Sequence, residues 1–181
     1  MQSDDESLAV QARADANSFA ELYRRYVTQV YRYQVFHTGN VKDAEDLTSQ
    51  TFLAALKGID RYRREGPFAA WLMGIARRQT AQFFRQRKFE VPLDEACELP
   101  AASLPVDWLV ARRISHQQAF AGLKKISPER AEAIVLSVFG GLSLVETAQV
   151  LGKSKAAVKM LISRGLQDLR TRSLLALEVE A

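Results

Sequence analysis

The sequence predicts an all-α protein made of two small helical domains joined by an extended acidic linker. Along most of the 181 residues, apolar side chains recur at intervals of three and four, and no stretch shows the strict alternation expected of a strand. Residues 89–107 break this pattern, with three prolines, five acids and no cation. Because proline removes a backbone donor and blocks helices, we predict the linker there, between domains at 15–88 and 108–173.

Three helices are predicted in the first domain. The first runs from about residue 17 to 37, the second is capped by Asn40, and the third begins near Pro67, a residue suited to the first turn. Acids follow Asn40 closely, where the helix dipole favours anions. The expected buried residues are Phe19, Leu22, Tyr23, Tyr26, Val30 and Tyr33 in the first helix, Ala44, Leu47, Phe52, Ala55 and Leu56 in the second, and Phe68, Trp71, Leu72, Ile75 and Phe83 in the third.

The second domain is predicted to end in a helix-turn-helix. Two helices come before it, at 109–123 and from Ser127 onward. Ser143 and Glu146 have the spacing of a capping box, and Gly152 supplies the left-handed conformation that a sharp turn needs. The expected buried residues are Ala131, Ile134, Val135 and Val138 before the motif and Val145, Ala148 and Leu151 in its first helix.

The last helix, capped by Ser154, carries a basic outward face. Its expected inward residues are Val158, Leu161, Ile162, Leu166 and Leu169, which leaves outward Lys155, Lys159, Met160, Ser163 and Arg164. Cations and a hydroxyl there suit phosphates and base edges in a DNA major groove, and Met160 offers an apolar contact for a thymine methyl. The plainer alternative is a helical hairpin with a solvated basic face.

A second basic block precedes the linker. Residues 61–88 hold eight cations against one acid, interleaved with aromatic rings. This mixture suits single-stranded nucleic acid, since rings stack on unpaired bases while cations follow the backbone. Phe68, Trp71 and Phe83 are expected in the core, whereas Tyr62, in the predicted loop, is freer to touch a base.

A polar stripe lies on the second helix, at Asp43, Glu45, Asp46, Gln50 and Thr51. Backed by apolar residues, it suits docking against a helix of another protein; the alternative is a solvated face with anions at the helix start. Asp43 and Asp46 have no third ligand at useful spacing, and the two histidines are solitary. We therefore expect a binding protein with no metal, cofactor, small-molecule substrate or enzymatic activity.

Nothing in the sequence predicts export or direct membrane insertion. No apolar run approaches the ~20 residues that a membrane span needs, and the acidic start lacks the layout of a signal peptide. Cys97 is the one cysteine, so no internal disulfide is possible. The expected location is the cytoplasm.

In their order and spacing, these segments resemble a bacterial RNA polymerase sigma factor of the extracytoplasmic function (ECF) group, within the sigma-70 family. The resemblance rests on DAEDLTSQTFLAAL, GPFAAWLMGIAR and SPERAEAIVLSVFGGLSLVETAQVLGKSKAAVKMLISRGLQDLR, and it covers roughly Phe19 to Arg172. Members of this group keep only sigma regions 2 and 4. The resemblance therefore implies that 15–88 is region 2, that 108–173 is region 4, and that the chain is a promoter-specificity subunit.

The resemblance also implies partners and residue roles. The polar stripe of the second helix would bind core RNA polymerase, at the coiled-coil clamp helices of its largest subunit. The loop and third helix would bind the opened −10 element of promoter DNA, and the last helix would bind the −35 element. The residues concerned are Asp43, Asp46, Gln50 and Thr51 for polymerase, Tyr62, Arg63, Arg64, Arg78, Gln82 and Arg85 for the −10 element, and Lys155, Lys159, Met160, Ser163 and Arg164 for the −35 element.

An anti-sigma factor is a further implied partner, because sigma factors of this group are commonly held by one. Arg78 and Gln82 stand where family members often have asparagine and aspartate, so the −10 base preference of relatives is not carried over. The alternative function is a stand-alone helix-turn-helix regulator, for which the second domain would suffice. That alternative gives the polar stripe and the arginine-rich loop no role.

Overall fold

The computed structural model of the protein describes residues 2–90, 122–123 and 125–179, with side chains over 5–87, 122–123 and 125–171. All regular elements among these residues are helices, which confirms the predicted class. They form two compact units, one on each side of segment 91–121. From residue 91 onward the predicted linker lies outside the described residues, as does the predicted helix at 109–123 except for residues 122 and 123.

In the described part of the first unit, the elements are α1 (Gln2–Gln11), α2 (Ala16–Thr38), α3 (Val41–Gly58), a short 3₁₀ helix (Ile59–Arg61) and α4 (Phe68–Glu90). Asp15 starts α2 by accepting hydrogen bonds from two backbone N–H groups of the first turn, and Gly39 ends it with a left-handed φ of 64°. Asn40 caps α3, as predicted, by accepting a 3.2 Å bond from the N–H of Asp43.

Helices α2, α3 and α4 pack around an apolar core with one polar group at its centre. The largest apolar side chains buried there include Leu22, Val30, Tyr33, Leu47, Phe68 and Leu72. Gln34 is fully buried among them, and its side-chain carbonyl accepts a 2.7 Å bond from the hydroxyl of Thr80. Its amide donates to Thr51 Oγ1 and to the backbone carbonyl of Ala76, both at 3.4 Å. One side chain thus connects three helices.

The first unit differs from the sequence analysis at several points. Helix α1 is not predicted, yet it packs on α2 with Ala9 and Ala12 buried. Helix α4 continues through Glu90 and so overlaps the first two residues of the predicted linker. Tyr23 and Leu56, both predicted to be buried, are 44% and 47% exposed. Both lie beside the buried stripe of their helix and not in its centre, so neighbouring helices cover them only in part.

In the described part of the second unit, the elements are α5 (Pro128–Val138), α6 (Leu144–Leu151) and α7 (Lys155–Val179). The predicted helix starts are confirmed. Ser127 caps α5, and Ser143 and Glu146 make both bonds of the capping box that opens α6. Gly152 ends α6 with a left-handed φ of 63°, and Ser154 caps α7 by accepting a 3.2 Å bond from the N–H of Ala157.

Helix α7 approaches α5 closely at a glycine. Gly165 is buried, and a Cβ atom there would lie 2.7 Å from Ile134 Cδ1 and 3.2 Å from Arg130 Cβ. Arg130 also forms a 2.5 Å ion pair with Asp168 of α7. Because Gly165 has no side chain, the backbone of α7 can pack directly against the side chains of Ile134 and Arg130 of α5.

Three residues predicted inside the second unit are exposed: Val138 at 63%, Val145 at 46% and Leu166 at 41%. In α6 Ala148 is buried as predicted, and Glu146 and Thr147 are buried beside it. The side chains of Glu146 and Thr147 both bond the backbone of Ser143, which holds them against the helix start. In α7 the neighbouring Gly165, and not Leu166, faces α5.

Candidate nucleic-acid and protein interfaces

One face of α3 combines polar and apolar groups that are open to solvent. Asp46 and Gln50 are exposed, as expected for the predicted stripe, and Leu53 and Leu56 are 52% and 47% exposed. Leu53 follows Asp46 by seven residues, or about two helical turns, so the two share a face. We call these four residues the α3 surface. Exposed large apolar residues beside an acid and an amide are suited to docking another protein.

The other three residues of the predicted stripe do not belong to this surface. Glu45 is exposed but lies about 100° round the helix from Asp46. Thr51 is fully buried; its hydroxyl donates a 2.7 Å bond to the backbone carbonyl of Leu47 and accepts one from Gln34. Asp43 is partly covered and forms a 3.1 Å ion pair with Arg87 of α4. Thr51 therefore lies inside the unit and not on the exposed face of α3, because the helix backbone and the core already use its hydroxyl.

A basic face runs along α4. Arg78, Gln82 and Arg85 are exposed and follow one another at intervals of four and three, which places them in one row. Phe84, about 100° round the helix from Arg85, is 42% exposed. We call these four residues the α4 surface. Among the described residues, Arg78 and Arg85 make no ion pair, so both charges are available to an outside anion.

The arginine loop, residues 62–67, joins the 3₁₀ helix to α4, and its tyrosine is not free. Tyr62 is only 3% exposed, its hydroxyl donates a 2.7 Å bond to the backbone carbonyl of Gly66, and its ring packs against Phe68 and Trp71. Burial raises the pKa of Tyr62 to about 12, and the nearby carboxylate of Glu6 adds to the rise. The expectation that Tyr62 is free in the loop is wrong, because its ring packs against two neighbouring aromatic rings.

The arginines of the loop do face outward. Arg63 and Arg64 are exposed, and Arg64 has a φ of 56°, which is in the left-handed region. A non-glycine residue in that region is uncommon and costs roughly 1–3 kcal/mol. Such backbone strain occurs most often at functional sites, which makes this loop a candidate site.

The outward face of α7 agrees with the sequence analysis. Lys155, Lys159, Met160, Ser163 and Arg164 are all exposed, and we call them the α7 surface. Met160 is 53% exposed, whereas Val158, two residues before it, is fully buried. Beside this surface, a cleft of about 630 Å³ separates α6 from α7, lined by Leu144, Lys159, Ile162, Ser163, Leu166, Gln167 and Arg170.

Within the described residues, no group of three or more histidine, cysteine, aspartate or glutamate side chains is placed to hold a metal ion. The search for helices long and apolar enough to cross a membrane also found none in this part of the chain.

Both units match known protein families. Residues 22–90 match the family described as Sigma-70 region 2, and residues 118–169 match the family described as Sigma-70, region 4. The chain is 35% identical over 158 residues to the ECF RNA polymerase sigma factor BldN of Streptomyces coelicolor, covering 86% of this chain and 60% of that protein. It is 30% identical over 156 residues to the RNA polymerase sigma factor CarQ of Myxococcus xanthus, covering 85% of this chain and 88% of that one. The chain thus spans only 60% of the length of BldN.

Two solved structures have a similar fold. CnrH, in complex with the cytosolic domain of CnrY, superimposes with a TM-score of 0.73 at 25% identity, over 98% of this chain and 99% of that one. The sigma factor RpoE, in complex with the anti-sigma factor NepR from Bartonella quintana, gives a TM-score of 0.63 at 22% identity, over 84% and 94% of the two chains.

Because Tyr62 is buried and Phe84 is exposed, removing the Tyr62 ring should lower the free energy of unfolding more than removing the Phe84 ring. Tyr62→Ala should lower the free energy of unfolding by about 3 kcal/mol, because it empties a packed aromatic site. Phe84→Ala should lower it by less than about 1 kcal/mol, as is usual for exposed positions. Urea unfolding followed by circular dichroism measures both. Equal losses for the two variants would contradict the assignment of Tyr62 to the core.

Proposed function

The chain belongs to the ECF group of the sigma-70 family, and from that premise we propose that it is a promoter-specificity subunit of bacterial RNA polymerase. It binds the core enzyme, recognises the −35 and −10 promoter elements and promotes DNA melting, and it works in the cytoplasm without catalytic activity of its own. The observation that carries this proposal is that one chain holds both family segments, each with exposed surfaces of the chemistry required.

The α3 surface is the proposed contact with core polymerase. In the family, the segment that contains Asp46 and Gln50 binds the clamp helices of the largest subunit. Leu53 and Leu56 add apolar area that is exposed in the free chain and would be buried on docking. Asp43 has a supporting part, since its ion pair with Arg87 joins α3 to α4 beside the docking face.

The α4 surface and the arginine loop are the proposed contact with the opened −10 strand. Arg78, Arg85, Arg63 and Arg64 are exposed cations that can follow a strand's phosphates, and Gln82 can hydrogen-bond a base. Phe84 replaces Tyr62 as the ring that stacks on an unpaired base, because Phe84 is exposed and Tyr62 is not.

The α7 surface is the proposed reader of the −35 element. Helix α7 is the second helix of the helix-turn-helix, the position from which such motifs enter the major groove. Lys155 and Ser163 suit phosphates, Lys159 and Arg164 suit phosphates or guanine edges, and Met160 suits a thymine methyl.

An anti-sigma factor is the proposed regulator. RpoE of Bartonella quintana, which shares this fold, was solved in complex with the anti-sigma factor NepR. The stand-alone helix-turn-helix regulator remains the second candidate, since the second domain would suffice for it. A regulator needs no core polymerase, so stable association with the core enzyme distinguishes the two.

Reversing the charge of Asp46 should abolish association with core polymerase. Asp46→Arg puts a cation where a paired anion is expected, and the loss of a buried charge partner costs about 2–5 kcal/mol, or at least about a thirtyfold loss of affinity. Glu45→Arg is the matched control, with the same charge change about 100° further round the helix. Co-purification of each full-length variant with core enzyme measures this. Wild-type recovery of Asp46→Arg would remove the α3 surface from the proposal.

Removing Arg78 or Phe84 should impair strand opening more than closed-complex binding. Each loses a contact that forms only with an unpaired strand, and stacking one base is worth roughly 1–3 kcal/mol. Permanganate footprinting reports the opened bubble. A gel mobility shift of duplex promoter DNA, run without heparin, reports the closed complex. Arg24→Ala, which removes an exposed cation of α2, is the control and should leave both signals unchanged. A normal bubble in both variants would limit these residues to a structural role.

Lys159 and Arg164 are expected to contribute separately to −35 recognition. A lost base contact should cost about 1–3 kcal/mol and relax preference at one position. A lost phosphate contact should weaken all promoters and reduce the salt slope by about one unit. Transcription from randomised −35 elements with Lys159→Ala and Arg164→Ala distinguishes these results, with Lys125→Ala as an exposed-cation control from the same unit. Unchanged activity and base preference in both variants would show that the α7 surface does not read DNA.

A further inference from the structure

Helix α1 is fastened to the first unit by a buried acid. Asp5 is only 7% exposed; it accepts a 2.6 Å hydrogen bond from the hydroxyl of Tyr26 and forms a 2.5 Å ion pair with Arg25. Ala9 and Ala12, one and two turns further on, are also buried. A nearly buried carboxylate is costly unless it is paired and hydrogen-bonded, so its two partners on α2 give α1 a defined place on that helix.

From that place α1 and the residues after it reach the arginine loop. The guanidinium of Arg13 donates a 2.5 Å hydrogen bond to the backbone carbonyl of Tyr62, at the first residue of the loop. The guanidinium of Arg64 donates to Ser7 Oγ of α1 at 3.4 Å. Helix α1 also contacts the 3₁₀ helix that leads into the loop. One segment therefore holds the loop at two points.

The loop requires such outside support. Arg64 has a left-handed φ of 56°, a conformation that is uncommon and strained for a non-glycine residue. Inside the loop, the bond from the Tyr62 hydroxyl to the carbonyl of Gly66 closes the turn, but it does not touch Arg63 or Arg64. The direction in which these two exposed arginines leave the backbone therefore depends on where the carbonyl of Tyr62 is held.

We propose that α1 is a positioning element for the arginine loop and that Arg13 is its positioning residue. Arg13 fixes the loop so that Arg63 and Arg64 face an opened nucleic-acid strand, and it contacts a carbonyl of the chain and not the strand. The part of this proposal that concerns nucleic acid rests on the proposed function. The part that concerns the position of the loop does not.

Hydrogen exchange of the full-length chain tests the position of the loop directly. In Arg13→Ala, the amide of Tyr62, which donates to the carbonyl of Ile59 at the start of the loop, should exchange about fivefold or more faster, since a charge-assisted hydrogen bond to the same residue has been removed. Amides in the interior of α3 and α4 should not change. Arg24→Ala removes an exposed cation elsewhere in the unit and should leave the loop amides unchanged. Exchange of the Tyr62 amide at the wild-type rate in Arg13→Ala would overturn the proposal.

Binding of a fluorescein-labelled single-stranded DNA of twenty nucleotides and mixed sequence, measured over a series of salt concentrations, tests the consequence. Arg13→Ala should weaken binding about fivefold with no change in salt slope, because Arg13 releases no counterion. Arg63→Ala should instead reduce the salt slope by about 0.7. In an Arg64→Ala background, Arg13→Ala should have a smaller effect, since both act through the same loop.

The outcomes separate the two proposals. An equal effect of Arg13→Ala in both backgrounds would assign Arg13 to general stability and overturn its positioning role. Failure of the wild-type chain to bind the single-stranded DNA, or wild-type affinity of the Arg63→Ala variant, would contradict the proposed function of the loop. The exchange result alone would then decide whether α1 holds the loop in position.

Discussion

The first unit depends on the need to satisfy a buried amide. Gln34 bonds to groups on α3 and α4 from the middle of α2, and a buried polar group left without a partner costs about 1–3 kcal/mol. A rotation of α3 or α4 about its own axis would break one of these bonds, whereas an apolar contact tolerates small shifts. The amide therefore fixes which face of each helix points inward. The α3 and α4 surfaces lie on the remaining faces, so the same constraint determines what this unit presents to its partners.

The features of the fold that could be predicted are those that depend on residues close in sequence. A cap such as Ser143 with Glu146, or a left-handed turn such as Gly152, involves side chains and backbone only a few residues apart. Helix α1 could not be predicted in this way. Its anchor is an aspartate whose partners lie 20 and 21 residues away, and its buried contacts are alanines that form no apolar stripe. Acids are rarely buried unless paired, so the sequence alone favours an exposed Asp5.

The exposed residues of the proposed binding surfaces were predictable where charge decides exposure and not where a polar side chain has a partner within the fold. Lys159 and Arg164 are exposed because burying an unpaired cation is costly. Thr51 and Tyr62 have apolar surface as well as a hydroxyl, and both hydroxyls bond backbone carbonyls four residues away, so either residue fits inside. Helical spacing also failed to predict burial at the edges of apolar stripes, as with Leu56. The spacing shows which side chains share a face but not how far a neighbouring helix covers that face.

The number of basic residues in the sequence is larger than the number of cations available to bind a polyanion. Arg87 is paired with Asp43, Arg25 with Asp5, and Arg130 with Asp168, so these three join helices together. Among the described residues, Arg78, Arg85, Lys159 and Arg164 have no such pair. Because a paired cation contributes little to the field beyond its partner, the attraction for nucleic acid comes from the unpaired set. These basic residues thus form two groups. Those in ion pairs join helices together, and those without ion pairs are exposed on the surfaces proposed to bind nucleic acid.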